Sequence, residues 1–277
     1  MFDTAFEVNV ALPLAKAAYD AANDVPLKLP DGYTKIADVV VNSGRLAARM
    51  ARATPAEHKL VQSMLLEARK PEIFGIIAQK SEIAAVSFRG TLTPGDWLKD
   101  LDFEHVPFQA VPEFGNVHQG FQLVYEAIEQ SVKEGLSACS GRTRTIIIGH
   151  SLGGALSVLC APDLAINARA GKAAPEVHTF AGPRVAAPDI ANPINSTFAE
   201  RFNETVPVCF RVTNHWDVVP NLPPPVLHYV HVGTGVGVDA GFTCDLIKAH
   251  SLGLSYEPAL RELLLQPFVG FHAARVA

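Results

Sequence analysis

From Thr145 to Leu159 the chain reads Thr-Ile-Ile-Ile-Gly-His-Ser-Leu-Gly-Gly-Ala-Leu-Ser-Val-Leu, a run that few folds can accommodate. Thr145 to Ile148 are β-branched, the composition of a short buried strand. Gly154 to Leu159 are small or apolar and read as a buried helix. Between them lies Gly149-His150-Ser151-Leu152-Gly153, a G-x-S-x-G motif. A strand that gives way to a helix within so few residues holds its central serine on a tight, strained turn, and small residues on either side keep that turn free of clashes. The serine hydroxyl is then presented outward. The following amide, on Leu152, points out of the helix N-terminus, where negative charge is favoured. Ser151 is therefore a candidate nucleophile. The plain alternative is a glycine-rich turn with a surface serine, and the strand before and the helix after weigh against it.

The bulk numbers narrow the field. With 48% hydrophobic and 18% charged residues in 277, the chain can build a large core, and disorder is excluded as its main state. A net charge of −5 gives no reason to expect nucleic acid as a partner. Cys139, Cys160, Cys209 and Cys244 lack metal-ligand or C-x-x-C spacing, so neither a metal nor a dithiol redox role is expected. Cys160, on the helix after the motif, reads as a reduced core thiol, and one disulfide stays open. The first residues carry Asp3 and Glu7 and no basic region before an apolar stretch. No secretory signal is read from them, which leaves a cytoplasmic protein or one whose leader lies outside this sequence. Thr145–Pro162 lacks Asp, Glu, Lys and Arg, but its Gly-His-Ser centre favours strand plus helix over a transmembrane segment. The sequence sets no oligomeric state.

Along the chain, strand and helix patterns alternate. Ala5–Asn23 predicts an alanine-rich helix kinked at Pro13, Asp38–Val41 a short strand, and Gly44–Lys70 helical structure broken near Thr54-Pro55. On the latter Arg45, Arg49 and Arg52 share a face, a solvated stripe by default. Ile73–Gln79 and Ile83–Phe88 predict two strands joined by a short polar turn, and Gly120–Glu134 an amphipathic helix. Val177–Phe180, Val208–Thr213 and Leu227–Val232 predict further strands. The alternation implies an α/β fold with a largely parallel sheet covered on both faces. No internal repeat or low-complexity linker appears, so one domain over residues 1–277 is the economical reading.

A serine hydroxyl needs a base and a third, orienting group to act at neutral pH. In the α/β-hydrolase fold, whose nucleophile elbow requires such a strand–turn–helix context, these follow in the order acid, then histidine. Asp217 stands in the loop just after Val208–Thr213 among apolar neighbours, where a carboxylate needs a partner. Asp189, Asp239 and Asp245 are its rivals. Of the ten histidines, His58, His105, His118, His150 and His178 precede any such acid. His215 is two residues from Asp217, His228 and His231 lie on the apparent strand 227–232, and His272 is in the tail. His250, on a late loop, is what elimination leaves. A second oxyanion donor should follow an earlier strand, and Ser87-Phe88-Arg89-Gly90-Thr91 ends one.

These residues together resemble the class 3, fungal-type lipases of the α/β-hydrolases. The resemblance runs through Ser87–Thr91, Asp96-Trp97-Leu98-Lys99-Asp100, Val117-His118-Gln119-Gly120-Phe121 and Gly149–Ala155. It continues through Thr179-Phe180-Ala181-Gly182-Pro183-Arg184-Val185, Asn214, Asp217 and Val219–Pro224, and ends at His250 and Tyr256. It implies Ser151 as nucleophile, Asp217 as acid, His250 as base, and Thr91 with Leu152 as the oxyanion hole. It also implies a short helical lid over about Thr93–Phe103, with Trp97, Leu98 and Leu101 as its apolar, substrate-facing members. No cofactor is needed. The expected substrate is an ester, first of all an acylglycerol at a lipid–water interface. Feruloyl esterase, phospholipase A1 and short-chain carboxylesterase activities are the alternatives on the same scaffold, and a non-catalytic lipid- or protein-binding relative is a distant one. Two departures stand out: the stretch from Asp38 to Lys70 is longer and more helical than the family leads one to expect, and the cysteines do not follow the fungal disulfide pattern.

Overall fold

The computed structural model of the chain describes residues 1–51, 58, 69–70, 72–91, 104–168, 173–192 and 194–265. Trp97, Leu98 and Leu101, with the whole expected lid, lie outside the described residues, as do Arg52, His272 and most of the expected helical segment 52–70.

A seven-stranded sheet organises these residues, in the order β1 (Thr34–Val40), β2 (Ile73–Lys80), β3 (Ile83–Phe88), β6 (Arg144–His150), β7 (Glu176–Phe180), β8 (Cys209–Asn214), β9 (Thr234–Val238). The first three strands are antiparallel; from β3 onward every neighbour is parallel. A separate two-stranded ribbon pairs β4 (His105–Pro107) with β5 (Asn116–His118). This is the α/β-hydrolase architecture that the motif order implies.

Side-chain alternation explains why β6 sits at the centre. Ile146 and Ile148 pack with one apolar cluster and Ile147 with the other, all three buried. A strand apolar on both faces is stable only with helices on both sides, and burying each such isoleucine contributes roughly 2–3 kcal/mol. One face is covered by α3 (Gln119–Ser137) and α4 (Leu152–Asn167). The other is covered by α1 (Leu12–Ala22) and α7 (Glu257–Leu265). Helix α4 is apolar around most of its circumference and almost wholly buried, as its small-residue start requires. The remaining helices are α2 (Ser43–Met50), α5 (Thr197–Thr205) and α6 (Leu246–His250).

Three sequence expectations change. Helical structure starts at Thr4 and is irregular before Pro13 rather than at it: Glu7–Ala11 is a π-helical turn in which the Leu12 N–H reaches back to the Glu7 carbonyl. Pro13 follows directly on this turn and has no N–H to donate, so the break in the helical hydrogen-bond register falls where the ladder loses a donor. Leu227–Val232 is not a strand. Pro225–Leu227 form a 3₁₀ turn, His228 adopts φ +60°, and only Val230 bridges to Ala186. The last strand is Thr234–Val238, whose Gly235 leaves room for the Arg211 side chain from β8. All four cysteines are free, Cys139, Cys160 and Cys209 buried and Cys244 exposed. Burial raises the Cys160 thiol well above its ordinary value and pushes that of Cys209 up to about 12. Among the described residues no helix is long and apolar enough to cross a membrane.

Candidate active site

Parallel strands place their C-terminal ends along one edge of a sheet, and chemistry in α/β proteins collects there. Here β3 delivers Arg89-Gly90-Thr91, β6 delivers Ser151, β8 delivers Asn214 and Asp217, and β9 leads to α6, which ends at His250.

Ser151 sits between β6 and α4 with φ +59° and ψ −126°, a region that non-glycine residues enter only when their surroundings enforce it. Enforcement comes from packing. A Cβ added at Gly149 would stand 2.0 Å from the Gly153 carbonyl oxygen, and one at Gly153 would stand 2.2 Å from that of Phe88. The Ser151 N–H donates to Phe180 O at 2.9 Å, which ties the turn to β7. The turn is thus compressed to the point where both flanking glycines are obligatory. Leu152 is the first residue of α4, so its amide belongs to the helix N-terminus.

Asp217 and His250 meet. His250 Nδ1 lies 2.8 Å from Asp217 Oδ2, and both side chains are buried. The carboxylate has two further donors: Tyr256 Oη–H to Oδ2 at 2.7 Å and the Val219 N–H to Oδ1 at 3.0 Å. Tyr256 in turn accepts the Asn214 N–H at 3.0 Å, and Asn214 donates its side-chain amide to Ala249 O at 2.9 Å. Burial and the neighbouring Asp217 push the Tyr256 phenol well above its ordinary value, so it stays a donor. Asp217 therefore holds a fixed orientation and keeps the imidazole fixed with it. His250 ends a short helix that Asp245 caps, rather than standing on an open loop.

The remaining polar atoms point to what is missing from this geometry. Among the described residues, Ser151 Oγ, His250 Nε2 and Thr91 Oγ1 are buried and have no hydrogen-bond partner. Such orphans are costly in a finished core, and those beside a cavity are candidates for receiving a reacting group. A cavity of about 550 Å³ is walled by Thr91, His150 and His250 with Leu12, Val25 and Leu252; Ser151 is not part of its lining. Lys16, Asp20, Lys28 and Glu257 add charge to its rim, and Lys16 pairs with Glu257. Lys16, Asp20 and Lys28 come from α1 and the turn after it, far ahead of the first motif at Ser87, and no sequence signal marked them; Glu257 directly follows Tyr256.

The rival residues have other work. Asp189 accepts from Thr197, Asp239 from Trp216 Nε1 and the Gly241 N–H, and Asp245 caps α6. His118 caps α3, His231 meets Pro220 O, and His178 meets Glu7. His150, set aside in the sequence for its position before the acid, is part of the site after all: it contacts Tyr19 and His250 O. No group of three or more metal-ligating side chains occurs among the described residues.

The family model for class 3 lipases matches residues 85–227, which span Arg89-Gly90-Thr91, the turn at Ser151 and Asp217. The chain belongs to the class 3 lipase family. A lipase of Caenorhabditis elegans is 30% identical over 176 residues, 63% of this chain and 47% of its own. A phospholipase A1 of Oryza sativa is 32% identical over 192 residues, 60% of this chain and 46% of its own. The chain thus spans about half the length of the curated relatives it matches. The crystal structure of MDLA from Penicillium cyclopium shares the fold, with a TM-score of 0.59 at 20% identity over 84% of this chain and 78% of that one.

Proposed function

We propose that the protein is a serine carboxylic-ester hydrolase, with triacylglycerol lipase activity as its leading specificity. One observation carries the reading: the buried, triply supported His250–Asp217 pair leaves Nε2 unpartnered at the wall of a cavity shared with Thr91, at the sheet edge where the strained Ser151 stands.

The chemistry follows in two acyl transfers. His250 Nε2 takes the Ser151 proton as Oγ attacks the ester carbonyl, and Asp217 fixes the tautomer and stabilises the imidazolium that forms. The Leu152 amide and Thr91, by amide and hydroxyl, receive the developing oxyanion. Each such donor is worth about 3–4 kcal/mol in the barrier. The imidazolium then protonates the departing alcohol, and water, activated by the same histidine, releases the acid. Residues 93–103, with Trp97, Leu98 and Leu101, are proposed as a lid whose apolar side turns to lipid.

The test is hydrolysis of an ester series below and above each substrate's solubility limit, with Ser151→Ala as control. A jump in rate at the interface that vanishes in Ser151→Ala supports the lipase reading. Equal rates on dissolved esters would assign a soluble-ester hydrolase, and activity retained by Ser151→Ala would remove the nucleophile.

A further inference from the structure

A chain of three hydrogen bonds crosses the floor of the site and connects groups that the reaction uses separately. The Gly90 N–H donates to Tyr19 Oη at 2.9 Å. Tyr19 Oη lies 2.7 Å from His150 Nδ1, and His150 Nε2 lies 2.8 Å from the His250 carbonyl oxygen. The carbonyl can only accept, so His150 carries its proton on Nε2. Nδ1 is then an acceptor and Tyr19 donates to it. All three bonds run in one direction, from the oxyanion segment through α1 and the elbow to the backbone of His250.

The first link bears on the peptide that matters. Gly90 is pinned at both ends: its N–H by Tyr19, and its carbonyl by Arg89 Nη1 at 2.9 Å. That carbonyl shares a peptide plane with the Thr91 N–H. The segment also has no slack toward the nucleophile, since a Cβ at Gly90 would fall 2.6 Å from Ser151 Cβ and 2.7 Å from Tyr19 Oη. A shift of the tyrosine hydroxyl therefore moves the oxyanion donor against the serine. His150 is buried, and its desolvation and the neighbouring His250 lower its pKa well below the ordinary histidine value. Both effects favour the neutral, Nε2–H form that the chain requires.

We propose that Tyr19 and His150 are positioning residues that lock the oxyanion segment Gly90–Thr91 to the backbone of His250, so that oxyanion donor and base keep a fixed separation across the nucleophile. The inference rests on the ester-hydrolase reading given above. Neither residue touches substrate in this role; each acts through the groups it holds.

Tyr19→Phe keeps the ring and removes the hydroxyl. The variant is expected to lose about 10-fold in kcat with KM within twofold, because misplacing a transition-state donor by a fraction of an ångström leaves substrate binding intact. An arylboronic acid, which forms a tetrahedral adduct on Ser151, should bind more weakly by a comparable factor. A merely structural tyrosine would lower the melting temperature without changing boronate affinity per folded molecule. A kcat within twofold of wild type, or boronate affinity unchanged, overturns the proposal. A second measurement needs no variant: ¹⁵N spectra of the wild-type protein at pH 5 should show His150 neutral and protonated on Nε2, and an imidazolium or an Nδ1–H tautomer would contradict the chain. If the wild-type protein hydrolyses no ester and binds no boronate, the ester-hydrolase reading itself fails. An unaffected Tyr19→Phe in an active enzyme removes only this inference.

Discussion

Among the described residues there are two buried histidine–carboxylate pairs, and only one of them lines the cavity beside Thr91. His250 Nδ1 meets Asp217 at 2.8 Å, and His178 Nδ1 meets Glu7 at 2.6 Å. In both, Nε2 has no hydrogen-bond partner among the described residues. Distance and burial do not separate them. Surroundings do. Asp217 accepts from three donors, whereas Glu7 leaves Oε2 without one. His250 ends α6 at the C-terminal edge of the sheet and lines the cavity with Thr91. His178 lies within β7, its ring against Phe6 and Phe210, and lines no part of that cavity. The Glu7–His178 pair fastens the π-helical entry of the chain to the sheet. A histidine–carboxylate contact becomes a catalytic candidate only with a supported carboxylate, an open cavity and a nucleophile at the same edge.

Breaking the comparison at the catalytic end should give the largest effects. Asp217→Asn is expected to lower kcat by about 10⁴ while the protein stays folded, because the amide favours the wrong tautomer of His250. Steady-state kinetics with circular dichroism on the same preparation checks it. Tyr256→Phe removes one of three donors to Asp217 and strands the Asn214 N–H, and should cost about 10-fold in kcat, most visible in the pH–rate profile. At the structural end, Glu7→Gln should leave kcat/KM within about twofold. It should lower stability by about 1–3 kcal/mol, since a buried partner is weakened without loss of volume. Denaturant unfolding reads this, and a large activity loss at unchanged stability would erase the distinction between the pairs.

A smaller effect concerns acid. Burial lowers His231 to about 3, and His150 is lowered as well, while an unfolded histidine titrates near 6.5. Both are neutral in the fold, so the unfolded chain binds more protons as pH falls below about 6.5. Their contribution to stability is complete above that value; that of His231 is lost progressively toward about 3, and that of His150 falls in the same direction. Melting temperatures from pH 7 to 4 should therefore fall, and less steeply in His231→Gln. Smallest of all, alkylation of the native protein should modify Cys244 alone and leave activity unchanged, since Cys139, Cys160 and Cys209 are buried.

How much of this was legible in the sequence depends on whether a residue belongs to a local pattern. The elbow was fully legible, because β-branched residues, two obligatory glycines and a small-residue helix are consecutive. Asp217 was legible from its place after a strand, and His250 by elimination joined to the resemblance. The strand at 227–232 misled because nothing in Leu-His-Tyr-Val-His-Val shows that the 3₁₀ turn after the prolines runs into it and that His228 turns left-handed. The true last strand, Thr-Gly-Val-Gly-Val, is glycine-rich, and its pairing with β8 rather than propensity makes it a strand. Tyr19 was not legible at all. It is one aromatic on an alanine-rich helix, and only folding brings it 131 positions along the chain to His150.

The central claim is that Ser151 is a nucleophile activated through His250 by Asp217. A fluorophosphonate probe, followed by mass-spectrometric mapping and timed across variants, tests it most directly. The account predicts stoichiometric labelling at Ser151 in the wild-type protein and in Glu7→Gln, labelling slowed by orders of magnitude in Asp217→Asn, and none in Ser151→Ala. Labelling that survives Ser151→Ala, or that Asp217→Asn leaves at the wild-type rate, would contradict it.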